Sequence, residues 1–512
     1  MEDRLIRLRE AKEKAALGGG KQRIEGQHQK GKLTAWERID RLIDPGSFLE
    51  MQGLMGWEQG RGGEGVITGF GKIDGREVCI FAQDATVVGG SIGVIHHYKV
   101  CRTVERAVEI GVPVIGLWDS PGARTRKVGA DGGESGLSDF DEGRTVFFPN
   151  TQASGVVPQI AAILGNCAGI AAYSPQLMDY IFMVDKISSM FVTGPRVTKD
   201  AVGEDIGMEE LGGAKVHTTV SGVTDLAFQS EDECLEGIKK LLSFLPLNCN
   251  EPPPVREFSD DWDKVDDTIG DILPTSSRRP YDMHRIIERV VDYGDFFEIK
   301  PKFASEMIVG FGRLAGQPVG IVANQPLVRA GGLTIDSSDK QARFIRFCDA
   351  FNIPLCLLVD TPAYTPGSKM EHGGILRHGA KVLYAYCESI VPRVVVVVRK
   401  VYGGGVLGMS YIPQLGADMT FAWPTAELGG FAPEAMVDTL YREEIKQAAD
   451  PQKFRAEKLQ LLRVGSGDPM STASERPHLH AVIEPGETRR YLIMALKYLK
   501  NKKISRQPKR HG

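Results

Sequence analysis

Two α/β domains in tandem, copies of one another by internal duplication, are what the sequence predicts. The chain's 512 residues exceed what one hydrophobic core usually organises. Its apolar stretches alternate between short strand-like runs and longer helix-like patterns. Four segments of the first half also recur, in the same order, in the second.

The first recurrence pairs "RIDRLIDPGSFLEM" from 38 with "IIERVVDYGDFFEI" from 286, an offset of 248. The second pairs "GFGKIDGREVCIFAQDATVVGG" from 69 with "GFGRLAGQPVGIVANQPLVRAGG" from 310, and the third "IGVPVIGLWDSPGA" from 110 with "FNIPLCLLVDTPAY" from 351, both offset by 241. In the fourth, "VPQIAAILGNCAGIAAYSPQLMDY" parallels "VPRVVVVVRKVYGGGVLGMSYIPQLGAD", and Pro158 and Pro392 stand 234 apart. Offsets that drift this slowly mark loop-length changes between two copies of one fold. A period of this length makes a pair of domains, whereas solenoid repeats run to tens of residues. The domains are expected at 1–250 and 275–512, with the Pro- and Asp-rich stretch 245–274 as the linker.

Taken in order, "MEDRLIRLREAKEKAAL" is charged and amphipathic and lacks the apolar centre of a signal peptide. "VCIFA", "VPVIGLWD" and "PQIAAIL" read as buried strands, and so do "PLCLLVD" and "RVVVVVRK" in the second half. "HHYKVCRTVERAVEIG" and "SDKQARFIRFCDAFN" space their apolar residues by three and four and read as helices. Each half carries a Gly-rich turn right after a buried strand, "GNCAGIAAYSP" from 165 and "KVYGGGVLGMS" from 400. A turn that opens a helix aims free backbone N–H groups and the positive end of the helix dipole at one point.

Bulk properties exclude some functions. A net charge of −4 gives no global basic field for nucleic acid or an anionic membrane, and the basic tail "KYLKNKKISRQPKRHG" reads as a solvated arm. Eight cysteines without a C-x-x-C pair argue against a zinc ribbon or a redox pair, and several read as buried free thiols. With no apolar run of 18 residues, the chain is expected to be cytoplasmic, reduced and soluble. No H-E-x-x-H pair or Walker loop is present. His96, His97, His372 and His378 lack a nucleophile or carboxylate partner in the pattern and are read as structural.

The segments "GVITGFGKIDG", "VIGLWDSPGAR", "ELGGAKVHTTVSGV", "ARFIRFCDAFNIPL", "EHGGILRHGAKVLYAY" and "FAWPTAE" resemble the carboxyltransferase subunits of biotin-dependent acyl-CoA carboxylases and decarboxylases. The likeness runs from about Gly31 almost to the C-terminus, nearest to propionyl-CoA carboxylase β and methylmalonyl-CoA decarboxylase α subunits. It implies two tandem crotonase-like (ClpP/crotonase) domains, the N-terminal one for the acyl-CoA thioester and the C-terminal one for carboxybiotin. It also implies two oxyanion holes, one from the N–H groups of Gly169 and Ile170 and one from those of Gly404 and Gly405. Gly122, Ala123, Leu407, Ala363 and Tyr364 would bind substrate.

The same resemblance implies a biotin carboxyl carrier protein and a biotin carboxylase subunit as partners, or membrane decarboxylase subunits. The family assembly is a homohexamer, a trimer of dimers with the site between the N-domain of one chain and the C-domain of another. Nucleic acid and metal are not expected. The chain itself has no M-K-M biotinylation tripeptide. It departs from the family pattern at Ile170, at Pro121, at Ala363, Tyr364 and Thr365, and in a longer loop after Ala123. "LGAD" and Leu407 lean towards the decarboxylases. The expected function is transfer of a carboxyl group between carboxybiotin and a short, propionyl-like acyl-CoA. Alternatives are the carboxyltransferase subunit of a sodium-pumping methylmalonyl-CoA or glutaconyl-CoA decarboxylase, and a non-catalytic CoA-binding scaffold.

Overall fold

In a computed structural model, residues 1–124, 146–276, 279–430, 433–465 and 467–502 are described. Most of the loop after Arg124, and the basic tail beyond Lys502, lie outside them. The chain divides into two units, Met1–Pro252 and Pro253–Gly512.

The β-branched runs become strands. The first unit carries β1 (Leu49–Met51), β2 (Val66–Ile73), β3 (Arg76–Gln83), β4 (Val114–Ser120), β5 (Gln159–Ala168), β6 (Tyr180–Val184), β7 (Ser189–Phe191) and β8 (Leu226–Phe228). Its sheet runs β1-β2-β3-β4-β5-β6-β8 with β7 paired to β5, antiparallel through β3 and parallel beyond it.

The second unit carries β9 (Phe297–Ile299), β10 (Met307–Leu314), β11 (Gln317–Asn324), β12 (Leu355–Thr361), β13 (Arg393–Tyr402), β14 (Met419–Ala422), β15 (Glu427–Gly429) and β16 (Ala481–Val482). Its order, β9-β10-β11-β12-β13-β14-β16 with β15 on β13, repeats the first strand for strand. Strands of the parallel part are buried along their length, as β4 and β12 show, because helices cover both faces of such sheets.

The expected helices form at Val94–Ile110 and Ile335–Ala350. Each sends a buried lysine, Lys99 or Lys340, into backbone carbonyls ahead of β2 or β10. Lys99 Nζ donates to Gly63 at 2.9 Å and Val66 at 2.5 Å, and Lys340 Nζ donates to Lys300 at 2.8 Å, Phe303 at 2.9 Å and Met307 at 2.6 Å. Burial pushes their pKa values down, to about 8 for Lys99 and about 7 for Lys340.

The stretch 245–274 is not a free linker. Leu245 is buried in the first unit, and its carbonyl accepts from Arg76 Nη2 at 2.6 Å. Ile269 and Ile272 pack into the second unit's core with Met283, Ile286 and Ile287. Pro- and Asp-rich composition marks irregular backbone, and irregular backbone can still be packed.

Candidate active site

Each unit presents one strand-to-helix turn. β5 ends at Ala168, Gly169 caps the helix Ile170–Leu177, and the turn takes φ 58°, ψ −123°. β13 ends at Tyr402, Gly403 caps the helix Gly404–Gly408, and the turn takes φ 47°, ψ −126°. Positive φ with this ψ suits glycine, which has no Cβ to clash. The offset of 234 set by Pro158 and Pro392 therefore aligns Gly169 with Gly403, Ile170 with Gly404 and Ala171 with Gly405.

The cap N–H groups are not free. Gly169 donates to Phe191 of β7 at 3.1 Å, and Gly403 donates to Gly429 of β15 at 3.2 Å. The third helical N–H turns back to the cap carbonyl, Ala172 to Gly169 at 3.0 Å and Val406 to Gly403 at 3.1 Å. Among the described residues, the N–H groups of Ile170 and Ala171, and of Gly404 and Gly405, have no acceptor. In the second unit the N–H groups without an acceptor belong to Gly404 and Gly405. In the first unit the Gly169 N–H is taken by Phe191, and the N–H groups without an acceptor belong to Ile170 and Ala171.

A further donor comes from the loop after the neighbouring strand. Ile92 N–H donates to Gly122 at 2.8 Å and its carbonyl accepts from Arg124 at 2.9 Å, as in a parallel ladder. In such a bridge the intervening residue, Ala123, aims its own N–H to the opposite side, away from Ile92. Gly122 brings the loop against the turn, since a Cβ there would lie 2.6 Å from the Ala168 carbonyl oxygen. The second unit repeats the arrangement: Leu333 donates to Ala363 at 3.0 Å and accepts from Thr365 at 2.8 Å, leaving Tyr364 N–H facing the other way. Neither Ala123 nor Tyr364 N–H has an acceptor among the described residues.

Side-chain bulk is traded between the halves. A Cβ on Gly404 would lie 2.8 Å from Tyr364 Cδ2, and one on Gly408 would lie 3.0 Å from the Tyr364 hydroxyl. The first unit has Ile170 and Ala123 at the positions of Gly404 and Tyr364, and Ile170 packs against its unit's core. Bulk at position 170 accordingly goes with a small residue at 123. Leu407 is 41% exposed on the second turn's helix, so its side chain is open to a ligand.

No side chain at either turn supplies a nucleophile. Burial pushes the Cys167 thiol up, and its Sγ donates to the Ala171 carbonyl at 3.0 Å. His96 is held neutral, its pKa lowered to about 3 by burial and by nearby Lys99 and Arg124, with Nδ1 3.2 Å from the Glu64 carbonyl oxygen. His378 does have a carboxylate partner, Asp339 at 2.8 Å, which ties two helices together. Arg124 anchors the first loop, reaching Glu64 at 2.8 Å and the Ser91 carbonyl at 3.1 Å. The chemistry on offer is backbone stabilisation of an oxyanion, once in each unit.

A family model described as the carboxyl transferase domain matches residues 26–512. The propionyl-CoA carboxylase carboxyltransferase subunit of Haloferax mediterranei is 49% identical, the alignment covering 100% of this chain and 99% of the relative. The methylmalonyl-CoA decarboxylase subunit alpha of Veillonella parvula is 43% identical over 100% of this chain and 99% of its own. Among solved structures, the transcarboxylase 12S hexamer with methylmalonyl-coenzyme A and methylmalonic acid bound superposes with a TM-score of 0.93 at 42% identity, covering 100% of this chain and 98% of that one.

Proposed function

The chain belongs to the carboxyl transferase family, and on that premise we propose that it moves a carboxyl group between biotin on a separate carrier and a short acyl-CoA, propionyl-CoA on one side of the reaction and methylmalonyl-CoA on the other. The observation that carries this reading is the pair of equivalent turns, each with unpaired backbone donors.

At the first turn the work is to stabilise a thioester enolate. When the bond from the α-carbon to the carboxyl group breaks, its electron pair moves onto the thioester oxygen, and the N–H groups of Ala123 and Ile170 donate to that oxygen, with Ala171 beside them. Because these amides are fixed by a cap and a ladder, they need no reorganisation as charge develops. Carboxybiotin supplies the activated carboxyl group when its carrier is bound, and its ureido oxygen would be received by the N–H groups of Gly404 and Gly405. Tyr364, packed beneath the second turn, and Leu407, exposed on it, shape that side.

The reading includes a homohexamer, a biotin carboxyl carrier protein and a biotin carboxylase as partners, and a cytoplasmic setting. The run from methylmalonyl-CoA to biotin, as in a decarboxylase, uses the same two turns and is supported by the 43% identity to the Veillonella subunit. Among the described residues no helix is long and apolar enough to cross a membrane, so a pump would need its membrane part from other subunits.

The test is the half-reaction. Purified chain given carboxyl-labelled methylmalonyl-CoA and free biotin should move label to biotin slowly, and faster with a tethered carrier because of its higher effective concentration. Loss of label at full rate without biotin would mean simple decarboxylation, and no loss at all would mean a CoA-binding scaffold.

A further inference from the structure

Both turns are delivered by a strand with the same irregularity. Between Trp118 and Ser120 of β4, β5 advances from Ile163 to Cys167; between Val359 and Thr361 of β12, β13 advances from Val397 to Val401. Two residues thus face four, just before each turn. Residues inserted this way have lost their ladder partners, so something else must fix them.

Opposite each bulge stands one buried aspartate, Asp119 or Asp360. Its backbone is fixed alike in the two units: Asp119 N–H donates to Gln83 Oε1 at 3.0 Å and Asp360 N–H to Asn324 Oδ1 at 3.1 Å.

The neutralising arginine arrives from different places. In the second unit it belongs to the bulge: Arg399 Nε donates to Asp360 Oδ2 at 3.0 Å, and the Lys400 backbone N–H donates to Oδ1 at 3.2 Å. In the first it comes from the helix Ala35–Leu42. Arg38 Nη1 donates to Asp119 Oδ2 at 3.2 Å and Nη2 donates to the bulge carbonyl of Leu164 at 2.9 Å, with Lys32 Nζ 2.6 Å from the same carboxylate; Arg38 Nε also donates to the buried Glu231 Oε2 at 2.6 Å, and that second carboxylate balances the second cation.

The repeat offsets show an exchange. Position 399 corresponds to Gly165, and position 38 corresponds to Ile286, which is fully buried. A Cβ at Gly165 would lie 2.0 Å from Asp119 Oδ1 and 2.6 Å from Lys32 Nζ, so the first unit has room for the Asp119 carboxylate and Lys32 only because residue 165 is glycine. Each half keeps one arginine on the carboxylate and leaves the other half's source position uncharged.

We infer that Asp119 and Asp360 are positioning residues for carboxyl transfer, each clamping through its arginine the bulged strand end that sets the donor N–H groups of the turn. The inference rests on the functional reading above. It follows that the ion pair acts on rate: the turn sits within four residues of the bulge, and a displacement of about 1 Å at a reacting centre costs on the order of a hundredfold. Burial pushes the Asp360 carboxyl up while Arg399 pulls it down, as a pair that must be kept together requires.

The test uses the full chain in the labelled half-reaction. Replacing both charges, Asp360→Leu with Arg399→Met, removes the clamp without stranding a charge, and such apolar replacements often preserve the fold. The expected result is a thermal midpoint near wild type, an unchanged KM for methylmalonyl-CoA and a kcat lower by about tenfold to a hundredfold. A folded pair with wild-type kcat would overturn the inference, since the ions would then be merely structural. Should the pair fail to fold, Asp360→Asn, which keeps an oxygen for the Lys400 N–H, decides by the same split, and Arg399→Lys should recover more kcat than Arg399→Gln. An inactive wild type would instead sink the functional reading and this inference with it.

Discussion

Ile170→Pro is the cleanest removal of a donor from the first turn. Ile170 is the first helical residue, where the N–H has no helix acceptor and the fixed φ of proline fits. The preceding Gly169, at φ 58° and ψ −123°, is the mirror image of the extended backbone that proline prefers before it, and glycine adopts that mirror image freely. Among the described residues no hydrogen bond is lost, because the Ile170 N–H makes none there. Ala123 and Ala171 still offer their N–H groups, so the effect should sit at the lower end of what one oxyanion donor supplies: about a hundredfold in kcat, or about 2.7 kcal/mol. KM should change little, since the lost interaction belongs to the transition state. The assay is the initial rate of label transfer from saturating methylmalonyl-CoA to free biotin, with Ile170→Val, which keeps the N–H, as the control. Wild-type turnover in a folded Ile170→Pro protein would refute the assignment of the Ile170 amide.

Gly405→Pro should lower turnover by about a hundredfold through the second turn; its Cβ would lie 2.7 Å from Thr361 Cγ2, so Gly405→Ala, which has the same Cβ and keeps the N–H, must retain much more activity if the amide is what matters. Replacing Leu407 with Ala or Asp should reorder acetyl-, propionyl- and longer acyl-CoAs in a competition assay, one methylene being worth about 1–3 kcal/mol; an unchanged order for both variants would place the selectivity elsewhere, with Ile170 next. His284, whose pKa is raised to about 9 by its bond to Glu298, against the opposing effect of burial, and with help from Asp282, gives stability that is full below its ordinary value near 6.5 and lost as pH rises through about 9. The thermal midpoint should therefore fall across that window less steeply in Glu298→Gln than in wild type, and equal slopes would contradict the pairing.

The duplication, the strands and the two turns were legible because buried parallel strands are written in Val, Ile and Leu and a strand-to-helix turn needs glycine. The free amides were harder. Whether Gly169 donates to a ligand or to the protein depends on Phe191, more than twenty residues further on, on a strand too short to announce itself. One signal was available: the offset of 234 already places Gly403, not Gly404, opposite Gly169. The packed stretch 253–274 was hidden for a different reason. Its two core anchors, Ile269 and Ile272, sit in a sequence whose composition reports the path of the backbone and not its burial.

The repeat changes how an unusual residue should be read. Ile170 alone suggests a crowded oxyanion hole, but its counterpart pair, Gly404 with Tyr364, shows a similar volume supplied from the other side of the turn. Arg38 alone looks like an ordinary buried cation, yet Arg399 brings the same charge to the equivalent carboxylate from the bulge. In both cases the backbone is retained and the side chains differ in pairs, because each site must keep its packed volume and its neutral charge. A single substitution that copies one half into the other, such as Gly165→Arg, would place its Cβ 2.0 Å from Asp119 Oδ1 and bring a third cation beside Lys32 and Arg38. Changing Arg38 together with Gly165 would remove the extra cation but also the partner of the buried Glu231, which Arg38 Nε reaches at 2.6 Å, and the coupling between the two substitutions measures how far the halves still share one design.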